Sequence, residues 1–405
     1  MALVSFVLTA LAYPWHLPLT IVSFYHPRLT AFVHLSTLGT IGATILGASL
    51  QLVPVVTGGR LRAHGAARWA WWCYVAGTAL LIVGLWFGWH ETLAVGGVLL
   101  YLGVHIYVAV IGMTMWHSRR DVTLAHIVVA QVALAVSANL GALLALTKGI
   151  GWLGDATIPT LATHAALMLG GWALVTLAGF APRLALMFVG GSAILDRRLA
   201  WLDLAFLAGG SWALAAAGVA RSHPTALVGA ALLALGLICL AAQLGRVYRK
   251  ARRTSDPHVP FAIVALIAGL GSLAAIGVAA ARSAPASDPM WVVAGWLAIA
   301  GCLQTVIQGF LHKIVPFLAW LHHHAPRATI GHPPPRPDSL VPSAHRALEL
   351  ILWTSGVFIG AAGIWLGIPA ALDVAATCLG FALMILTLNL LRVAWPIGVR
   401  LVRGG

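Results

Sequence analysis

"GTIGATILGASLQLVPVV", Gly39 to Val56, is apolar enough to lie in a bilayer, yet it carries three glycines, Gln51 and Pro54. Two further stretches repeat its layout: "GWALVTLAGFAPRLALMF" from Gly171 and "GCLQTVIQGFLHKIVPFL" from Gly301. In each, a second glycine follows eight residues on (Gly47, Gly179, Gly309), and a polar or basic residue stands four beyond it (Gln51, Arg183, Lys313). Pro54 and Pro316 come seven after the second glycine; the middle copy has Leu186 there and its proline at Pro182. A period of about 130 residues predicts a unit of roughly four helices, repeated three times. Glycines eight apart lie near one helix face and permit close packing. The polar group and proline predict where each helix meets the interface and its last turn loosens.

The rest of the chain fits that frame. Of 405 residues, 60% are hydrophobic and 8% charged, and the mean hydropathy is +0.94, against about 25% charged residues in an ordinary soluble domain. The composition predicts an all-α integral membrane protein, a single polytopic domain over residues 1–405. A helix needs about 20 apolar residues to cross a bilayer. Runs of that length occur at Leu3–Phe24, Leu29–Val56, Trp69–Trp89, Leu93–Met115, Val122–Leu146, Thr157–Phe188, Leu199–Val219, Thr225–Leu244, Val259–Ala281, Pro289–Trp320, Ala347–Leu366 and Pro369–Val393. The second, sixth and tenth are the long ones and hold the repeated stretches. The start, "MALVSFVLTALAYPW", has no basic leader and reads as the first span. The longest polar joint, 321–343, is His- and Pro-rich and too short to bury a core.

A formal charge of +14 raises nucleic acid as a partner, but the distribution argues against it. Joints after even spans, with the C-terminal flank, hold twenty of the 24 basic residues; only Arg28, Lys148, Arg221 and Arg282 lie on the other side. Such a bias predicts cytoplasmic termini in a bacterial-type inner membrane. The run "RVYRKARR", Arg246–Arg253, suits contact with anionic lipid. Cys73, Cys239, Cys302 and Cys378 show no CxxC spacing, so no disulfide framework, zinc site or covalent haem is expected.

Twelve spans with cytoplasmic termini and long second, sixth and tenth spans resemble the heme-copper oxidase subunit I superfamily, whose twelve helices form three arcs about a pseudo-threefold axis. The segments "HLSTLGTIGATILGASLQLVPVV", "THAALMLGGWALVTLAGFAPRLALMF" and "GFLHKIVPFLAWLH" look most like the C-type oxidase and nitric-oxide-reductase branch and the related NnrS membrane proteins. The resemblance implies a low-spin haem ligand at His34 and a copper ligand at His164. It implies b-type haem as cofactor with copper as the alternative, and a quinol, periplasmic cytochrome or other respiratory subunits as partners. If the chain is an enzyme, it implies an oxidoreductase of the oxidase or nitric-oxide-reductase type. Two departures stand out. The outer half of the tenth span, "MWVVAGWLAIAG", lacks the family's two haem histidines, and "LAWLDLAFLAGGSWALAAAGV" on the seventh lacks its paired copper histidines. The standard oxygen-reducing centre is therefore not expected.

Each candidate has a bland reading beside the functional one. Met168, one turn after His164, offers a soft second metal ligand or plain packing. His105 lies mid-span with Tyr101 one turn before it, as a ligand or as a Tyr-paired core histidine. His16, beside Trp15, is a second candidate partner for a haem at His34. His126, His312, His26, His90 and His223 read as wet residues near interfaces. His322–His324 with His332 read as a solvated loop. Trp172 and Trp296 lie inside spans and read as pore plugs or packing. Of ten acidic residues only Asp203 falls clearly inside a span, with Glu349 and Asp373 near span ends. No trail of intramembrane carboxylates is visible. A transporter or metal-trafficking protein and a structural subunit that keeps its histidines only as packing remain as the other two function classes.

Overall fold

The computed structural model describes residues 1–116, 121–189, 195–249, 256–325 and 335–403. Among these no strand occurs. Twelve helices are long and apolar enough to cross a membrane: α1 (Ala2–Ile21), α2 (Pro27–Val56), α3 (His64–Phe87), α4 (His90–Met115), α5 (Val122–Thr147), α6 (Gly154–Phe188), α7 (Arg197–Ala220), α8 (His223–Arg249), α9 (Val259–Ala281), α10 (Pro289–His323), α11 (Ser343–Leu366) and α12 (Pro369–Ala394). In lipid only a helix satisfies its own backbone without water. The spans expected from sequence match to about a turn. The clearest differences are α3, which begins at His64 rather than Trp69, and α8, which continues past Leu244 to Arg249, because a helix need not stop where its apolar run does.

Scarce acids start several helices. Asp121 accepts from the Leu124 amide at 2.9 Å, Asp196 from Arg198 and Leu199, and Asp288 from Met290. Each fills an N-cap and satisfies amides that the first turn leaves bare. Turns such as those at Gly88 (φ 72°) and Gly367 (φ 64°) need the left-handed backbone that glycine adopts without strain.

Of the three long helices, α6 and α10 are the most buried spans, and α2 is buried as deeply as α12. The apolar windows of α6 and α10 are 61% buried, against 33–39% for most of the others. Each long helix widens mid-course into a π-helical stretch, at Leu35–Gly42, Ala166–Leu174 and Leu297–Gln304. The α10 stretch packs against both others, and Thr40 Oγ1 meets Gln304 Oε1 at 2.8 Å. A π turn frees carbonyls from the α ladder, and neighbours take them up. Tyr74 of α3 donates to the Leu38 carbonyl at 2.7 Å. Trp353 of α11 donates to Thr305 Oγ1 at 2.7 Å, which in turn donates to the Ala300 carbonyl.

After each long helix comes a tight hairpin: α3 with α4, α7 with α8 and α11 with α12. Glycine sets the separation in all three. A Cβ on Gly77 would stand 2.7 Å from the Leu100 amide, one on Gly210 2.7 Å from the Leu233 amide, and one on Gly356 3.0 Å from the Ala375 carbonyl. Finally α1 packs on α12, so the first and last spans are neighbours.

Pro54 lies in the last turn of its helix, which ends at Thr57, and Pro316 stands just ahead of the wider turn at Trp320–His324; Pro182 differs, since its helix runs on to Val189. In a bundle the carbonyl that proline leaves bare is accommodated by local adjustment of the helix and its neighbours.

Candidate functional site

His34 is the last residue before the π stretch of α2, and its Nδ1 donates to the Thr30 carbonyl one turn back at 2.8 Å. Its Nε2 is thereby the atom with a lone pair, and no partner for it is seen among the described residues. Lys148, whose ammonium lies 3.5 Å from the centre of the Tyr25 ring, is near enough for its charge to reach His34.

His164 stands two residues before the π stretch of α6. Its Nδ1 donates across the helix boundary to the Ser137 carbonyl of α5 at 2.9 Å, while Ser137 Oγ donates to the His164 carbonyl at 3.0 Å. The Cε1 edge of the ring fills the space that Gly141 leaves in α5: a Cβ there would stand 2.9 Å from Cε1. Anchoring one ring nitrogen on a carbonyl fixes the tautomer and aims the other, the arrangement that metal-binding imidazoles use. A charge on His34 of α2 would be felt at His164 of α6.

The other candidates have local partners of their own. His105 anchors Nδ1 on the Tyr101 carbonyl at 2.8 Å and tilts against the Tyr101 ring at 4.2 Å between centres, the Tyr-paired arrangement. His16 anchors Nδ1 on the Ala12 carbonyl at 2.7 Å and sits between Phe32 and Trp86. With Trp15, Leu19, His26, Arg28 and Trp86 it lines a cavity of about 310 Å³, and the charges nearest it are Arg28 and His26. Met168 packs against the central core. Among the described residues no group of three His, Cys, Asp or Glu side chains converges as a metal set. His332 lies outside the described residues.

Trp172 and Trp296 are both packed. Trp172 is in the core, with its Nε1 unpaired. Trp296 opens the π stretch of α10, donates to the Val357 carbonyl at 2.8 Å and lies over Gly360. Its indole fills the space between α10 and α11 on the half of α10 that lacks histidine.

Two histidines read from sequence as wet are deeply buried and paired. His126 Nε2 meets Asp203 Oδ1 at 2.8 Å with side-chain exposures of 3% and 1%, and His312 Nε2 meets Glu349 Oε2 at 2.8 Å with both at 0%. His126 is only the fifth residue of α5 and is nonetheless buried, so distance along the chain from a joint is a poor guide to wetness. Both acids are the seventh residue of the first helix of a hairpin, Asp203 in α7 and Glu349 in α11. That matched position was the signal available in the sequence.

Beside the second pair, Lys313 Nζ bridges Asp256 and Asp338, each at 3.0 Å. His258 meets Asp256 at 2.7 Å and is hydrogen-bonded to Tyr248. Burial works against ionisation of Asp256, but His258 and Lys313 outweigh it and hold the carboxyl below its usual range. Arg183, at the place in α6 corresponding to Lys313, pairs likewise with Asp121. Arg183 and Lys313 thus clamp the long helices to the segments that lead into α5 and α9.

No family model matches the chain, and no curated protein is similar to it.

Proposed function

We propose that the chain is a haem-binding membrane protein built like heme-copper oxidase subunit I, with His34 and His164 holding one b-type haem. The observation that carries the reading is the pair itself: two imidazoles from α2 and α6, within electrostatic reach, each with Nδ1 spent on a carbonyl and Nε2 unspent. A haem iron needs only one or two protein ligands because the macrocycle supplies four. A copper or zinc ion held by protein alone wants three or four. With no third His, Cys, Asp or Glu converging among the described residues, the donor set fits haem better than a bare metal; copper, with Met168 as a soft further ligand, is the alternative outcome.

The architecture supports the same reading. Three π stretches at matching places and three glycine-spaced hairpins favour three repeats of four helices. The basic joints favour cytoplasmic termini in an inner membrane. With both imidazoles on the iron, bound haem would supply one-electron transfer; a diatomic such as nitric oxide would bind only where one of the two imidazoles gave up its place. The chain's own part is to orient the imidazoles through Thr30 and Ser137 and to exclude water. A quinol, a periplasmic cytochrome or another respiratory subunit would be the electron partner. The test is haem content by pyridine haemochrome, with copper by elemental analysis, on wild type, H34A and H164A. Loss of haem in both variants supports the assignment; copper without haem, or haem unaltered by either change, overturns it.

A transporter is the second reading. Buried His–carboxylate pairs inside α5, α7, α10 and α11 favour it, since intramembrane ionisable groups mark ion and proton pathways.

A further inference from the structure

We infer that one face of α10 carries a hydrated proton-transfer line from the basic end of the bundle to its centre. Gln304, Gln308 and His312 stand at i, i+4 and i+8, a face about 12 Å long at 1.5 Å per residue. All three are buried, at 4%, 0% and 0% exposure. All three also keep hydrogen-bonding atoms without protein partners: Gln304 Nε2, Gln308 Nε2 and Oε1, and His312 Nδ1. Glu349 Oε1, at the lower end, is likewise unpaired, as is Ser36 Oγ beyond the upper end. Buried polar atoms in native proteins find partners, and ordered water supplies those the protein does not. A file of such atoms along one face therefore calls for a file of water.

The face is not a requirement of the long-helix design. In the corresponding places α2 has Gly42, Leu46 and Leu50, and α6 has Leu174, Ala178 and Pro182. Only α10 departs from apolar packing there, and both ends of its stripe have polar continuations. Upward, Gln304 Oε1 accepts from Thr40 at 2.8 Å, six residues below His34 on α2. Downward, His312 pairs with Glu349, and Arg346 is near enough to act on Glu349. Arg346 donates to the carbonyls of Asp338 and Val341, and the Asp338 side chain is 29% exposed. The other charged or titratable groups around the pair are Lys313 on α10, Asp256 and His258 ahead of α9, and His345 on α11; the Phe261 ring of α9 lies 5.4 Å from the imidazole.

The transfer balances. A proton from bulk water forms an O–H bond at Glu349 Oε1, the proton shared between Oε2 and Nε2 shifts onto nitrogen, and the Nδ1–H bond breaks as its proton passes to the water beside Gln308. One proton enters, one leaves, and the pair keeps its charge.

Two measurements on the purified full-length protein test this, and neither uses haem, so they stand whether or not the haem assignment does. In pulsed hydroxyl-radical footprinting read by mass spectrometry, His312 is expected to oxidise well above Phe6, a core ring of 1% exposure. In Q308L that signal is expected to fall to the Phe6 background; L46Q, at the corresponding place in α2, should leave it unchanged. In infrared spectroscopy a protonated-carboxyl band is expected that E349Q removes and that shifts within seconds of transfer to D2O. Oxidation of His312 no greater than that of Phe6 in wild type, equal oxidation in wild type and Q308L, or a Glu349 band that does not exchange, would overturn the proposal.

Discussion

Gly141→Ala tests the candidate site without touching a ligand. The new Cβ would stand 2.9 Å from His164 Cε1, where ordinary contact is 3.4–4 Å, so the ring must retreat by about 0.5 Å or more. Retreat strains the 2.9 Å bond from Nδ1 to the Ser137 carbonyl, a contribution of about 0.5–1.5 kcal/mol. Against that, alanine in a helix interior gains about 0.5–1 kcal/mol over glycine. The two nearly cancel, so the unfolding midpoint of G141A should lie close to wild type. Affinity should not: loss of the partner that orients a ligating imidazole typically costs 10–100-fold, or about 1.4–2.8 kcal/mol. The assay is haem titration of apo-protein by Soret absorbance, beside thermal unfolding in the same detergent. Gly112→Ala is the control, since nothing lies within 4 Å of its added Cβ. Equal haem affinity in G141A and G112A would refute the role given to the Ser137–His164–Gly141 contact.

Other substitutions report on the packing around the site. H312A or E349A, and likewise H126A or D203A, should each cost about 1–3 kcal/mol because a buried hydrogen-bonding partner is left unsatisfied, whereas the double change H312L/E349L should cost far less; thermal unfolding in detergent decides. Asp256 titrates below its usual range, so the stability it gives is present above the unfolded value of about 3.9 and is lost as pH falls through the lower folded value. The gap in stability between wild type and D256N should therefore be constant at neutral pH and close in strong acid; a gap that closes near neutrality would contradict the clamp on Lys313. Gly84→Ala puts a Cβ 2.5 Å from the Leu93 amide, backbone that cannot rotate away, and should destabilise by about 1–3 kcal/mol.

Span number and position follow from composition because bilayer thickness imposes a length, and all twelve apolar runs became helices. The glycines that drew attention in Gly39–Val56 lie in and beside the π stretch, yet nothing in "HLSTLGTIG" distinguishes a π turn from an α turn before its neighbours are placed. Histidine positions were readable as candidates, but their partners were not. Ser137 and Gly141 are unremarkable in α5 until α6 is laid against them, and Asp203 and Glu349 meet their histidines only through contacts between helices remote in sequence. For the same reason His126 and His312 looked wet. The polar stripe of α10 was present as "QTVIQGFLH", where the spacing of Gln304, Gln308 and His312 is that of one helix face. Its lack of partners is visible only in the packed bundle.

The most direct measurement is a reduced-minus-oxidised optical spectrum of the purified wild-type protein, repeated on H34A and H164A. A b-type haem spectrum in wild type that is lost or altered in both variants is the result expected if His34 and His164 hold one haem between α2 and α6. A flat difference spectrum from folded protein supplied with haem, or one that neither substitution changes, would contradict it.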